Sequence, residues 1–332
     1  MAHAISIQNG RPEIAYYGHT PWHGLGVRVD SLQTPGGMLR HAGLEWSVQA
    51  EPVACAGADI PGYRAIVRQD TRKVLGVVTS RYHCIQNSQA AEMMNAVVTV
   101  GGAHVEVAGA LDDGARCWML AHVPGDFEVV RGDAVRPYAL LAWGHNGKLG
   151  LAMKLTTVRV VCKNTLNAAG FGGRVSRVAD VYVKHTSTAS VNLEEARRAL
   201  GLVAKQVEVT AEAYRSLART MMSDDRVAEY FTEVFPEPPW TTVDSDPMAF
   251  TRWQARQESL AQLYHAGVGA DMPGVHGTAW GAYNAVTEYV DHVYPMLSSG
   301  DVSRSRLQSV AFGAFADVKT RAFALAGSRP RK

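Results

Sequence analysis

Between His104 and Val161 the chain alternates strand-like runs with short turn signals, and this alternation restricts the fold more than any other feature. The runs are His104 to Leu111, Ala115 to Val123, Pro137 to Trp143 and Gly150 to Val161. They are separated by Asp112-Asp113-Gly114, Pro124-Gly125-Asp126 and His145-Asn146-Gly147. Parallel neighbours need a crossover of a dozen residues or more, so turns this short predict antiparallel hairpins. In the last run Leu151, Met153 and Leu155 alternate with Lys154 and Thr156, and then Val158 and Val160 take the polar phase. That reversal predicts a β-bulge near Thr156-Thr157. Asn164 then reads as the start of a short helix through Ala169, stopped by Gly170, Gly172 and Gly173.

The flanking segments read differently. The first 80 residues carry Gly and Pro clusters, including Pro35-Gly36-Gly37, and predict irregular structure with strands at Trp46 to Ala54 and Arg64 to Val78. Asn87 is placed to cap a helix with Ala90, Met93, Met94, Val97 and Val98 on one face, ending at Gly101-Gly102. From Ser190 the texture is helical. Asn192 with Glu195 resembles a capping box, and Leu193, Leu200, Val207, Tyr214 and Met221 recur at helical spacing. Further helices are expected at Asp225 to Val234, Pro247 to Ala266, Thr278 to Pro295 and Arg304 to Ala326, with a break at Pro236-Glu237-Pro238-Pro239. Strands followed by helices predict an α+β fold: an antiparallel sheet of hairpins with packed helices over 1–189, then a mainly helical region, 190–332, serving oligomerisation and packing.

Composition narrows the function. With 47% hydrophobic and 19% charged residues, the 332-residue chain buries a core and is not disordered. No 18-residue apolar run and no signal-like start within Met1 to Gly10 predict a cytoplasmic protein with no membrane partner. Cys55, Cys84, Cys117 and Cys162 are widely separated and are expected to be reduced thiols. The net charge of +2 conceals an asymmetry: Met1 to Ser190 holds 18 basic and 14 acidic residues, and the remainder 15 and 17. From Ala134 to Ala179 there are seven cations (Arg136, Lys148, Lys154, Arg159, Lys163, Arg174 and Arg177) and no acidic residue. This stretch reads either as a polyanion surface or as a solvated sheet face paired with carboxylates elsewhere.

Catalytic signatures are weak. His19 and His23 have HxxxH spacing, but Pro21 disfavours a helix there, and a turn anchored by Trp22 accounts for them. Cys162, beside Arg159 and Lys163, lacks a local base and reads as a small buried residue. Neither GxxxxGK[ST] nor GxGxxG occurs, which disfavours an ATP-driven motor. No catalytic residue, metal ligand or cofactor is assigned. Binding chemistry remains: Lys154, Arg159 and Lys163 run from strand to helix, with Asn164 following and Trp143 and His145 at the preceding turn. Cations beside an aromatic platform suit sequence-tolerant single-strand binding, while core packing is the competing account of Trp143.

Several separated segments carry a family resemblance. Ala15-Tyr16-Tyr17-Gly18, Thr20-Pro21-Trp22-His23-Gly24-Leu25-Gly26, Leu75-Gly76-Val77-Val78, Ala108-Gly109-Ala110-Leu111, Val158-Arg159-Val160-Val161-Cys162-Lys163-Asn164-Thr165-Leu166 and Thr278 to Tyr289 resemble the phage/plasmid-like proteins of domain-of-unknown-function family 932. The chain departs from that pattern at Asn146, where members commonly have Asp, and at Lys163, where they often have Asn. The resemblance implies a phage or mobile-element origin and a distant likeness to single-strand annealing recombinases, which pair DNA strands on a basic groove without ATP.

The expectation is therefore an ATP-independent protein that binds and anneals single-stranded DNA as a homo-oligomeric ring or filament, with a phage nuclease or host protein as a further partner. Lys154, Arg159, Lys163 and Asn164 would contact the backbone, with Arg136, Lys148, Arg174 and Arg177 as outer charge and Trp143 as the stacking platform. The alternatives are a metal-dependent nucleic-acid enzyme or thiol enzyme drawing on His19, His23, His145 and Cys162, and a protein-binding factor such as a host-defence inhibitor.

Overall fold

The computed structural model describes residues 5–18, 25–159, 165–166, 181–183, 193–294 and 314–328. Its order is β1 (Ile7–Gln8), β2 (Arg11–Pro12), β3 (Ile14–Tyr17), β4 (Val27–Val29), α1 (Pro35–Ala42), β5 (Val48–Cys55), β6 (Ala58–Arg68), β7 (Val74–Thr79) and α2 (Asn87–Gly101). Then come β8 (His104–Leu111), β9 (Arg116–His122), β10 (Phe127–Glu128), β11 (Ala134–Gly144), β12 (Leu151–Arg159), β13 (Thr165–Leu166) and β14 (Val181–Val183). The helices α3 (Leu193–Arg219), α4 (Asp224–Val234), α5 (Trp240–Ser245), α6 (Met248–Ala266), α7 (Ala279–Glu288) and α8 (Ala314–Gly327) complete it. The fold is α+β, as expected.

The main sheet has nine strands in the order β13-β12-β11-β9-β8-β3-β4, with β10 on β11 and β14 on β12. Its centre is antiparallel, and among the described residues only the β3–β4 pair is parallel. A second sheet, β5-β6-β7, replaces the single strand expected over Arg64 to Val78. Residues 69–73 turn the chain between β6 and β7, with Arg72 at φ 58°. The Pro35-Gly36-Gly37 cluster opens α1 instead of a loop: Pro35 occupies the first turn, and the Gly37 N–H donates to the Thr34 hydroxyl at 3.1 Å. Gln86, not Asn87, caps α2, and the Gln86 N–H donates to Gln89 Oε1 at 2.9 Å.

The β11–β12 register is unbroken from Val135↔Arg159 to Ala142↔Ala152, so the bulge expected at Thr156-Thr157 is absent. Thr157 instead follows Leu151, Met153 and Leu155 onto the inner face, where its hydroxyl bonds with Tyr214 Oη at 2.9 Å. A satisfied threonine mimics a phase flip in the sequence because its hydroxyl is scored as polar while its partner lies 57 residues away. The helix expected from Asn164 is also corrected, since Thr165–Leu166 pair with β12 as strand. The helix expected to reach Pro295 ends as α at Glu288 and continues as one π-turn over Tyr289–Val293.

Among the described residues, two large apolar cores pack on the sheet region, beside a smaller cluster of Ile5, Ile14, Leu111 and Trp118. One joins Met38, Leu39, Met94 and Val97 of α1 and α2 to Val105, Met119, Ala139, Leu141 and Leu155 on the sheet's inner face. The other is aromatic, built from Tyr214, Tyr230, Phe231, Tyr264, Trp280, Tyr283 and Phe323, and it reaches Val129 and Val135. Helix α3 belongs to both, with Val207 in the first and Tyr214 and Leu217 in the second. The Trp280 indole N–H donates to Asp133 Oδ2 at 2.8 Å, tying the helices to the strands. No helix among the described residues is long and apolar enough to cross a membrane.

Candidate functional site

The structure separates the basic residues singled out in the sequence. Lys154 sits opposite Leu140 and Arg159 opposite Val135, and strand alternation puts these two register positions on opposite faces of the sheet. Lys154 and Arg159 therefore do not fall in one row on a single face of the sheet. Lys148 is exposed at the hairpin tip, where its N–H donates to Asn146 Oδ1 at 3.0 Å. Arg136 is half-buried and paired internally, with Nε 3.3 Å from Asp126 Oδ2 and Nη1 3.6 Å from Glu106 Oε1. Trp143 is a correction: it is fully buried and its indole N–H donates to Asn87 Oδ1 at 2.8 Å, so it offers no surface on which a base could stack. Lys163, Asn164, Arg174 and Arg177 lie outside the described residues, as do His19, His23 and Cys162.

His145 is held in the same network as Trp143. Asn87 Nδ2 donates to the carbonyls of Leu44 (2.9 Å) and Trp46 (3.2 Å), which fixes its oxygen as the acceptor for Trp143 and for His145 Nε2 at 3.0 Å. All four bonds an amide side chain can make are used. The His145 Nε2 therefore carries the proton, leaving Nδ1 to face the Cys84 thiol at 3.5 Å. Among the described residues, Cys84 is the cysteine whose thiol faces His145. Burial pushes the Cys84 thiol up to about 12, so it is a neutral donor at neutral pH rather than a thiolate nucleophile. The side-chain oxygen of Asn146 accepts the turn bond from the Lys148 N–H, which an aspartate at that position could accept equally well.

A different cluster gathers where β8, β9 and β11 lie side by side. His104 pairs with His122 in the β8–β9 register, and His122 with Tyr138 in β9–β11, which makes one row across three strands. Val105 opposes Ala121 but Val107 opposes Leu120, so Glu106 is the extra residue of a β-bulge. Glu106 shares the outer face with His104 by strand alternation, and the bulge keeps Val107 on that face too; His104 Nε2 lies 3.1 Å from Glu106 Oε1. Tyr138 donates to Glu106 Oε2 at 2.8 Å, and His122 Nε2 lies 2.5 Å from Asp126 Oδ1. The two imidazole rings are 4.9 Å apart and tilted by 60°, and His122 stands edge-on to Tyr138 at 5.4 Å. Burial first, and then the Glu106 carboxylate, hold the Tyr138 phenol well above its ordinary range, so it stays a hydrogen-bond donor. The side chains of His104, Glu106 and His122 are 30%, 15% and 11% exposed.

Motif scanning passes over this cluster because its members are spread over three strands, with His104 and Glu106 on β8, His122 on β9 and Tyr138 on β11. The signal was present nonetheless: in a hairpin centred on Asp113, His104 and His122 are equidistant from the turn, and His104 and Glu106 share a face by period two.

On the same outer face Gly109 opposes Trp118, whose ring would come within 2.5 Å of an added Cβ. Glycine there leaves room for the indole against the neighbouring strand.

No curated protein and no solved structure matches the chain. A family model described as a domain of unknown function, DUF932, matches residues 74–311, which is more than half of the chain and spans the hairpins, the histidine–carboxylate cluster and helices α3 to α7. The chain therefore belongs to the DUF932 family.

Proposed function

We propose that this protein binds and anneals single-stranded DNA without ATP, as a homo-oligomer of a phage or mobile element. The observation that carries the reading is the stretch from Ala134 to Ala179, with seven cations and no acidic residue. Positive charge of this density gains affinity for a phosphate backbone by releasing counterions. The β11–β12 hairpin belongs to this stretch, exposes Lys148 at its tip, and carries Arg136 and the Lys154 position on the outer face. With Trp143 in the core, affinity rests on charge more than on base stacking at that site.

The test is a titration of fluorescent oligonucleotide at several salt concentrations, with wild type and a Lys148→Ala, Lys154→Ala, Lys163→Ala variant. Wild type should bind with a steep salt dependence, and the variant's slope should be shallower by about 2, since each lost phosphate contact contributes about 0.7 for single strands. Salt-independent binding, or none by wild type at low salt, would sink the proposal. A second reading, a metal-dependent nucleic-acid enzyme, draws on His104, Glu106 and His122, and it predicts shortening of end-labelled strands with zinc or cobalt.

A further inference from the structure

We infer that His104, Glu106 and His122 form a binding site for a borderline-soft divalent cation of the zinc or cobalt class, with Asp126 beside them as a second carboxylate. The donor atoms of the three residues all lie within 4.8 Å of one another. Around a tetrahedral ion with ligand bonds of 2.0 to 2.2 Å, neighbouring donors are separated by about 3.4 Å. The His104 Nε2 to Glu106 Oε1 distance of 3.1 Å is already close to that value. Coordination by His122 Nε2 would take the place of its contact with Asp126 Oδ1.

The donor set selects the metal. Two imidazoles and a carboxylate suit zinc, cobalt or nickel, whereas magnesium and calcium prefer oxygen ligands throughout. The surroundings are those of a supported site. All three ligands stand on strands whose register fixes their spacing, and Tyr138 holds the far oxygen of Glu106 at 2.8 Å.

Occupancy has an electrostatic consequence. Arg136 is neutralised by Glu106 and Asp126. An ion that takes these carboxylates as ligands both adds positive charge and frees the Arg136 guanidinium on the outer face. The bound cation thereby raises affinity for a phosphate backbone; this second step rests on the proposed DNA binding, and the metal site itself does not.

The experiment uses the full chain, stripped with chelator and titrated with Co2+ alone. One equivalent should bind with the visible absorption of low-coordinate cobalt, and His104→Asn and Glu106→Gln should each weaken binding at least tenfold while circular dichroism stays unchanged. Tyr138→Phe should weaken it about tenfold, as loss of an outer-shell partner does. A control variant, His265→Asn with His276→Asn, removes the other close imidazole pair, whose Nδ1 and Nε2 are 3.1 Å apart, and should bind cobalt as wild type does. Absence of stoichiometric binding, or binding lost in the control and kept in His104→Asn, overturns the site. If cobalt binds and oligonucleotide affinity does not rise, the release of Arg136 is overturned and the site stands. If no oligonucleotide binds under any condition, the functional proposal fails while the cobalt result still decides the site.

Discussion

Two histidine-centred networks occupy opposite ends of the same sheet, and they are built on contrary principles. At one end His145 is wholly buried, bonded to an amide, and packed edge-on against Trp46 at 5.3 Å. Its partners are Asn87 and Cys84, groups without formal charge at neutral pH, and every bond of the central amide is spent. At the other end His104 and His122 face carboxylates, an arginine and a tyrosine, and remain partly exposed. The first arrangement fixes a turn in one geometry. The second concentrates charge that a ligand can redistribute, because a buried neutral network has no spare donor while a half-open charged one does.

The contrast is best broken at Asn87. Replacing it by alanine leaves the Trp143 N–H, the His145 N–H and two carbonyls without their partner, and uncompensated buried groups cost about 1–3 kcal/mol each when water cannot reach them. Asn87→Ala should therefore lower unfolding stability by about 4 kcal/mol or more in urea denaturation, whereas His104→Asn at the other end should change it by less than about 1 kcal/mol.

The next effect comes from the metal. At 100-fold excess over the dissociation constant, a cation bound only by the folded state adds about 2.7 kcal/mol. Co2+ should raise the thermal midpoint of wild type and leave that of Glu106→Gln unmoved.

A third effect separates the ends by pH. The Cys84 thiol is raised from 9.0 to about 12 by burial, so between these values the unfolded chain gives up a proton that the folded chain keeps. Stability from this group is complete below pH 9 and declines as pH rises toward 12. Burial raises the Tyr214 phenol in the same sense. Cys84→Ala should flatten the alkaline fall of the urea midpoint. Alkylation should mark exposed Cys55 before Cys84 at pH 8. The smallest change is expected from Lys148→Ala, within about 0.5 kcal/mol of wild-type stability, with its effect confined to oligonucleotide binding.

Much of the architecture was legible in the sequence because it is local. The boundaries of β8, α4 and α6 follow from turn residues and periodicity within a residue or so, and the long helix from Leu193 matches its 3.6-residue pattern. What escaped depends on distant partners. Thr157 looks polar until Tyr214 is brought beside it, and Trp143 looks like a platform until Asn87 takes its N–H. The histidine–carboxylate cluster needs two hairpin registers to assemble, and period-two alternation alone does not predict them. Local cation counting was misleading for Arg136, whose carboxylate partners precede the acid-free stretch in the chain.

Helix α3 carries a consequence for how the molecule is made. Synthesis delivers the strands first, and the inner end of β12 at Thr157 and the Asp133 carboxylate stay uncovered until Tyr214 and then Trp280 leave the ribosome. The Asp133–Trp280 bond closes a loop of 147 residues, a long-range contact of the kind that slows folding. The change of texture at Ser190 is therefore no seam for cutting the chain: a nascent sheet halted there holds an aggregation-prone apolar face, and completion of the last helices is what makes it safe to release.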